Sequence, residues 1–240
     1  MKRNVFFLAC LILAAAAVLG GCVILTPREI LGLPPEDSPA WVARLPQAAD
    51  SGQLFVVAAC GTSTAWVSMH QKDGTGVWRM IMTTPGFIGV NGLGKTREGD
   101  GKTPVGTFTF NRAFGIADDP GCAIPYSKAD SDTYWCGDIR EGMHYNELVS
   151  TSEYPDLDRA DSEHILDYTF HYQYCLNISY NEEDVPGLGS GIFLHCFGDR
   201  KPFTQGCVAI PEDQMYFVMT HVSPGCAVVI DSLENLGGSF

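Results

Sequence analysis

The chain has 240 residues, 45% hydrophobic and 18% charged, with 15 Lys plus Arg against 28 Asp plus Glu and a net charge of −13. That length buries a sizeable core without help from disulfides or metals. The acidity excludes sequence-independent nucleic-acid binding, which relies on Lys and Arg to neutralise phosphates, and docking on anionic lipid by charge alone.

Lys2 and Arg3 form a short positive n-region, and Val5 to Leu19 an apolar h-region that closes on Leu19-Gly20-Gly21-Cys22. Small residues before the cut mark residues 1–21 as a signal peptide. A cysteine in the next position resembles the bacterial lipoprotein lipobox, which implies that Cys22 is lipidated, becomes the mature N-terminus and anchors the protein to the membrane at the cell envelope. The alternative is a plain N-terminal transmembrane anchor, since the apolar run to Leu25 is nearly long enough to span. Both readings face the protein outward. Removing residues 1–21 takes two basic residues and no acid, so the mature net charge is 13 − 28 = −15. Residues 22–52 carry Pro27, Pro34, Pro35, Pro39 and Pro46 and show no strand alternation, which predicts a stiffened tether, with a short helix allowed around Ala40–Leu45.

Residues 53–235 then read as one domain. Leu54–Ala59 predicts a buried strand and Thr64–His70 an alternating one; Asp73-Gly74 turns the chain into Val77–Met82. A Gly-rich segment over 86–106 leads into Thr107–Phe110. Residues 113–163 are polar and aromatic, long enough to be a functional excursion. Strands resume at Tyr168–Tyr180, Gly191–His195, Cys207–Ile210 and Ala227–Ile230. One helix starts at Pro211, with Glu212 and Asp213 in its first turn. The sum is a mainly β, β-sandwich-like domain with one or two short helices.

With Cys10 removed and Cys22 lipidated, seven cysteines remain: Cys60, Cys122, Cys136, Cys175, Cys196, Cys207 and Cys226. An odd count in an exported protein predicts disulfides with one thiol kept free. Cys122–Cys136 is the pair most readily proposed, because both lie in one loop-rich stretch. The alternative is a reducing habitat with buried, unpaired thiols.

Two elements carry chemistry. Gly191-Ile192-Phe193-Leu194-His195 followed by Thr204-Gln205-Gly206-Cys207-Val208-Ala209-Ile210 places a histidine and a cysteine on strands that pair across a loop. A cysteine nucleophile needs a base in reach, and Gly206 permits a tight turn that aims its own N–H and that of Cys207 at one oxyanion. Read alone, the two residues fit a buried core histidine and a structural cysteine better than a catalytic pair, because both residue types are more often simply buried. The second element is Gly94-Lys95-Thr96-Arg97-Glu98-Gly99-Asp100-Gly101-Lys102-Thr103-Pro104-Val105-Gly106-Thr107-Phe108, a Gly-rich turn into a strand that lacks the phosphate-loop spacing.

Together the two elements closely resemble the catalytic domain of the L,D-transpeptidases, the YkuD-like family, over about Leu54 to Ile230. In that family a Gly-Asp-Gly-x-Thr-Pro-x-Gly-x-Phe segment precedes a His and a [Ser/Thr]-x-Gly-Cys signature. The resemblance implies that Cys207 attacks a peptidoglycan stem-peptide carbonyl to form a thioester and that His195 is its general base. It further implies that Gly206, with the Cys207 amide, forms the oxyanion hole, and that Thr204 fixes the loop at the substrate. Lys102, Thr103 and Pro104 would support the site structurally. Three departures stand out. Gln205, read as substrate-binding, stands where many members have His. Val208-Ala209 replaces a hydrophobic-Arg pair, removing a group able to bind an acidic part of a substrate. Cys196 follows His195 where Gly is usual, on a strand position pointing away from the face of Cys207. The Asp118–Asn146 loop, with Tyr126, Trp135, Asp138, Tyr145 and Asn146, is expected to wall the cleft, Tyr145 binding substrate.

The implied function is an exported acyltransferase on peptidoglycan stem peptides. The alternatives are a carboxypeptidase with the same site, giving the thioester to water, and a non-catalytic wall-binding lipoprotein. No cofactor and no metal are implied: zinc spacings are absent, and the acidic run Asp156, Asp158, Asp161, Glu163 lacks the EF-hand pattern and reads as solvated surface. His70, His144, His164, His171 and His221 read as structural.

Overall fold

The structure, a computed structural model, describes residues 35–198 and 201–239; the signal segment and Cys22 lie outside the described residues. Thirteen strands occur among them. These are β1 Glu36–Asp37, β2 Gln53–Ala59, β3 Thr64–Lys72, β4 Trp78–Phe87, β5 Gly106–Gly115, β6 Tyr126–Lys128, β7 Thr133–Trp135, β8 Leu148–Ser150, β9 Glu163–His164, β10 Cys175–Ile178, β11 Phe193–Cys196, β12 Val208–Ile210 and β13 Ala227–Ser232. The helix α1 spans Glu212–His221.

The main sheet runs β4-β12-β11-β10-β5-β13-β2-β3, and β3 pairs back to β4, so the hydrogen-bonding path closes on itself. The two layers of the expected sandwich are therefore one continuous sheet, with its interior edges removed by closure. Most neighbours are antiparallel; β11–β12 and β13–β2 are parallel. Phe55, Val57, Val67, Met69, Leu176, Ile178, Leu194, Val208, Ile210, Val228 and Ile230 fill the main core.

Strand β2 is apolar at nearly every position, which demands cover on both faces. Phe55 and Val57 point into the main core. Leu54, Val56 and Ala58 point the other way, with Ala227 and Val229 of β13, onto Val42, Leu45 and Ala48. Here the tether expected over 22–52 needs correction. Residues 35–52 are part of the domain: β1 pairs with β4, two 3₁₀ turns cover Val42–Arg44 and Pro46–Ala48, and Val42 is fully buried. The turns replace the helix allowed around Ala40–Leu45, because Pro46 interrupts a longer one.

Two further expectations change. Tyr168–Tyr180 is not one strand: Ile165–Tyr168 is a 3₁₀ turn and only Cys175–Ile178 pairs. The 113–163 excursion is not simply loop, since β8, β7 and β9 form a small second sheet over a cluster of Tyr134, Cys136, Val149 and Leu157. Helix α1 buries Met215, Phe217, Val218 and Met219. Its last turn is held by Gln53, whose Nε2 donates to His221 O at 2.8 Å while its Oε1 accepts from Ser223 N–H at 2.8 Å, satisfying groups a helix end leaves orphaned.

The expected disulfides are absent: all seven described cysteines are free. Cys122 packs against the main core, whereas Cys136 sits in the small cluster under the second sheet and donates to Met143 O at 2.8 Å. The two belong to separate apolar clusters, which is why the pair does not form.

Candidate active site

Parallel pairing of β11 and β12 sets Leu194 opposite Val208 and His195 opposite Ala209. Side chains alternate along each strand, so His195 and Cys207 emerge on one face and Cys196 and Val208 on the other. Cys196 accordingly lies in the main core, its thiol directed at Tyr174 O.

The Cys207 thiol donates to Gly191 O at 3.2 Å, and Sγ accepts from Phe193 N–H at 3.3 Å. Burial pushes this thiol up to about 12; the charge of Glu163 raises it further, while the Phe193 N–H and the charge of Lys95 act the other way. His195 is buried and its Nδ1 lies 2.8 Å from Cys196 O. A carbonyl only accepts, so Nδ1 carries the proton and Nε2 is the free base. Burial lowers this imidazole to about 4, against the pull of the Cys196 carbonyl, and nearby His171 lowers it further. Tyr172 meets the ring edge-on with centroids 5.5 Å apart. The resting pair is thus a thiol beside a neutral imidazole.

The loop before Cys207 is braced from two sides. Thr204 exchanges backbone hydrogen bonds with Ile88 and Val90 at 2.9 Å. Its hydroxyl donates to Cys207 O at 2.7 Å and accepts from Gly206 N–H at 3.1 Å. That last bond alters one expectation: the Gly206 N–H meant for the oxyanion hole is committed to Thr204. The Cys207 N–H has no acceptor among the described residues. Gly206 itself is required, because its φ of +142° is costly for other residues and a Cβ there would lie 2.9 Å from Lys102 O.

The second brace is the Gly94–Phe108 element. Fully buried Thr103 donates to Gly206 O at 2.8 Å and accepts from Gly89 N–H at 2.8 Å. The turn feeding Thr103 is tied by Asp100, whose carboxylate accepts from Thr96 N–H at 2.8 Å, Arg97 N–H at 3.2 Å, Lys102 N–H at 3.0 Å and Lys95 Nζ at 3.1 Å. Burial would raise this carboxyl, but those donors outweigh it and bring it down to about 2. The Lys95–Asp100 pair is itself buried, at 1% and 7% side-chain exposure.

Cys207 and His195 open onto a cleft of about 470 Å³ that Lys95, Glu98, Glu163, His171, Tyr172, Thr204 and Gln205 also line. Gln205 is exposed at its rim. A neighbouring cavity of about 450 Å³ shares Glu98, Glu163, Ser190 and Gly191 with that cleft. Tyr145 lines this second cavity and not the first, donating to Glu98 Oε2 at 2.7 Å, where Ser190 also donates at 2.9 Å. Of the other expected wall residues, Trp135 lines the second cavity. Asn146 accepts from Gly191 N–H at 3.0 Å and so steadies the carbonyl that holds the Cys207 thiol. Asp138 is buried in an ion pair with Arg140, and Tyr126 donates to Ala117 O; neither reaches the cleft.

Glu98, Lys95, Glu163 and Tyr172 are site residues that the sequence reading left unassigned. Glu98 and Lys95 stood inside a quoted motif, so their place was within reach. Glu163 came at the end of an acidic run read as surface, and only β9 pairing with β7 turns it inward. No group of three or more His, Cys, Asp or Glu among the described residues is arranged to hold a metal ion.

The comparison with curated proteins finds no match. Among solved structures, the Ldtfm–avibactam carbamoyl enzyme is 16% identical over 76% of this chain and 49% of its own, with a TM-score of 0.35. The helical cell shape determining protein Pgp2 from Campylobacter jejuni is 15% identical over 80% and 54%, at 0.40. An L,D-transpeptidase from Mycobacterium smegmatis is 14% identical over 75% and 60%, at 0.34. The chain thus spans about half to three-fifths of the length of these proteins. The model of the L,D-transpeptidase catalytic domain matches residues 61–230, most of the chain and both elements that meet at Cys207. This chain belongs to the YkuD family of L,D-transpeptidase catalytic domains.

Proposed function

We propose that this protein is an exported, lipid-anchored L,D-transpeptidase that carries stem-peptide acyl groups of peptidoglycan on Cys207 and passes them to an amine. The observation that carries the reading is the shared cleft of Cys207 and His195, in which the Cys196 carbonyl holds the imidazole with Nε2 free. Family membership over residues 61–230 supports it.

The mechanism follows from the resting protonation state. A thiol pushed to about 12 is not a standing thiolate, so its proton must move to His195 Nε2 as sulfur attacks the carbonyl. The Phe193 N–H stabilises charge on sulfur during that movement, and the Cys207 N–H, which has no acceptor among the described residues, meets the oxyanion in this reading. His195 then returns the proton to the departing amine, leaving a thioester. Cys22 supplies the lipid anchor in this reading.

The test is mass spectrometry of the full-length protein with tetrapeptide muropeptides and a non-native D-amino acid. Wild type should gain the mass of a thioester and place that amino acid in the fourth stem position. Cys207→Ala should retain its melting temperature while losing both signals. Exchange persisting in Cys207→Ala would sink the reading, and loss of the terminal residue without exchange would make the protein a carboxypeptidase.

A further inference from the structure

We infer that Glu163 is a further catalytic residue of the proposed transfer, the carboxylate that takes a proton from the ammonium of the incoming acceptor; this rests on the function proposed above. The need arises from chemistry. An acceptor amine enters at neutral pH as R–NH₃⁺, with no lone pair to attack a thioester. His195 is poorly suited to take that first proton, because burial keeps its imidazole near 4, and it is already committed to the proton exchanged with sulfur.

Placement singles out Glu163. It lines both the Cys207 cleft and the second cavity. The two cavities meet at Ser190 and Gly191, and Gly191 O lies 3.2 Å from Cys207 Sγ, so a molecule in the second cavity meets an acyl group on sulfur from the Glu163 side. The ionisable side chains lining that cavity are Glu98, Tyr145, Asp161 and Glu163, without a cation, which favours a positively charged guest. Glu98 Oε2 is engaged by Tyr145 and Ser190. Glu163 Oε2 accepts from the Tyr172 hydroxyl at 2.8 Å, while its Oε1 has no hydrogen-bond partner among the described residues. Burial also raises the Glu163 carboxyl, helped by the charge of Glu98 and opposed by the Tyr172 hydrogen bond, which makes its carboxylate a stronger base.

The step balances as follows. Glu163 takes one proton from R–NH₃⁺ and becomes a carboxylic acid. The freed nitrogen lone pair forms the C–N bond at the thioester carbonyl, and the second nitrogen proton passes to His195 Nε2. The C–S bond breaks, Cys207 leaves as thiolate and regains its proton from His195, and Glu163 releases its own to water.

The test uses full-length wild type and Glu163→Gln with one stem-peptide donor and two acceptors: D-methionine, whose amine is protonated at neutral pH, and hydroxylamine, whose nitrogen is mostly unprotonated there. Thioester formation is read by mass spectrometry, and transfer to each acceptor by its product, above the spontaneous rate. Glu163→Gln should acylate at least as fast as wild type, because the charge that raises the Cys207 thiol is gone, yet lose about a hundredfold in transfer to D-methionine while keeping at least the wild-type rate of transfer to hydroxylamine to within a few fold. Equal loss with both acceptors, loss of acylation, or unchanged transfer to D-methionine overturns the assignment. If wild type forms the thioester but hands it only to water, the Glu163 assignment fails while the Cys207 nucleophile stands. If wild type forms no thioester, both fail.

Discussion

At Cys207 a half-buried thiol is held between a backbone donor and a backbone acceptor, with Glu163 and Lys95 acting on it in opposite directions. Burial, with the Glu163 charge adding to it, keeps the resting thiol protonated, and in the proposed mechanism this places the burden of activation on His195. That base works only when neutral, and burial lowers it from 6.5 to about 4. The acid limb of kcat/KM should therefore fall near pH 4 and not near pH 6.5, which a pH–rate profile with a non-titrating donor will show. An acid limb at 6.5 would mean that His195 is solvated in the working enzyme. His195 and Cys207 were legible in the sequence because the proposed nucleophile and base are named side chains. The group orienting the base was not, because it is the main-chain carbonyl of Cys196, which every residue type supplies equally.

Among the elements, the Gly94–Phe108 segment shows how a motif distant in sequence becomes part of a site. Its Asp100 closes a turn around backbone donors, and that turn aims Thr103 at the loop before Cys207. Thr103→Val should leave Gly206 O without its side-chain donor and Gly89 N–H without its acceptor, inside a fully buried spot. Losing these is expected to cost about 2 kcal/mol of stability and to lower kcat more than it raises KM, measured by thermal unfolding and steady-state kinetics. An unchanged kcat would show that the nucleophile loop holds its shape without this brace. The supporting role was readable from the motif. The 168–180 stretch was not, since its aromatic run has strand character while Tyr172 is drawn against His195 and Phe193 outside any ladder.

Over the whole molecule, closure of the sheet and the cover supplied by residues 35–52 leave few ionisable groups deep inside. His70 is one, fully buried between Ser38 Oγ and Ser68 Oγ at 2.8 Å each, and burial lowers it to about 4. Below its ordinary value of 6.5 the unfolded chain takes up a proton that the folded chain refuses until about pH 4. Stability from this group is thus present above 6.5 and declines as pH falls toward 4, by about 1.4 kcal/mol per pH unit within that window. His195 adds a second such slope. His70→Gln should flatten the decline by one group's share in urea titrations between pH 7 and 4; identical slopes in variant and wild type would refute the account. Because Ser38 belongs to the segment read as tether, this pairing also ties that segment to the barrel.

The sequence by itself determined the mainly β character, the position of most core strands, the family and the candidate pair Cys207 and His195. These rest on residue type, two-residue periodicity and motif spacing, all local in the chain. Tertiary structure alone decided that β3 returns to β4, that residues 35–52 cover β2, and that the seven thiols stay apart. It also decided that Glu163 and Tyr145 line one cavity next to the Cys207 cleft and that Thr204 claims the Gly206 N–H. Those outcomes depend on pairing and burial between segments far apart in sequence, where no single segment carries the pattern of its partner.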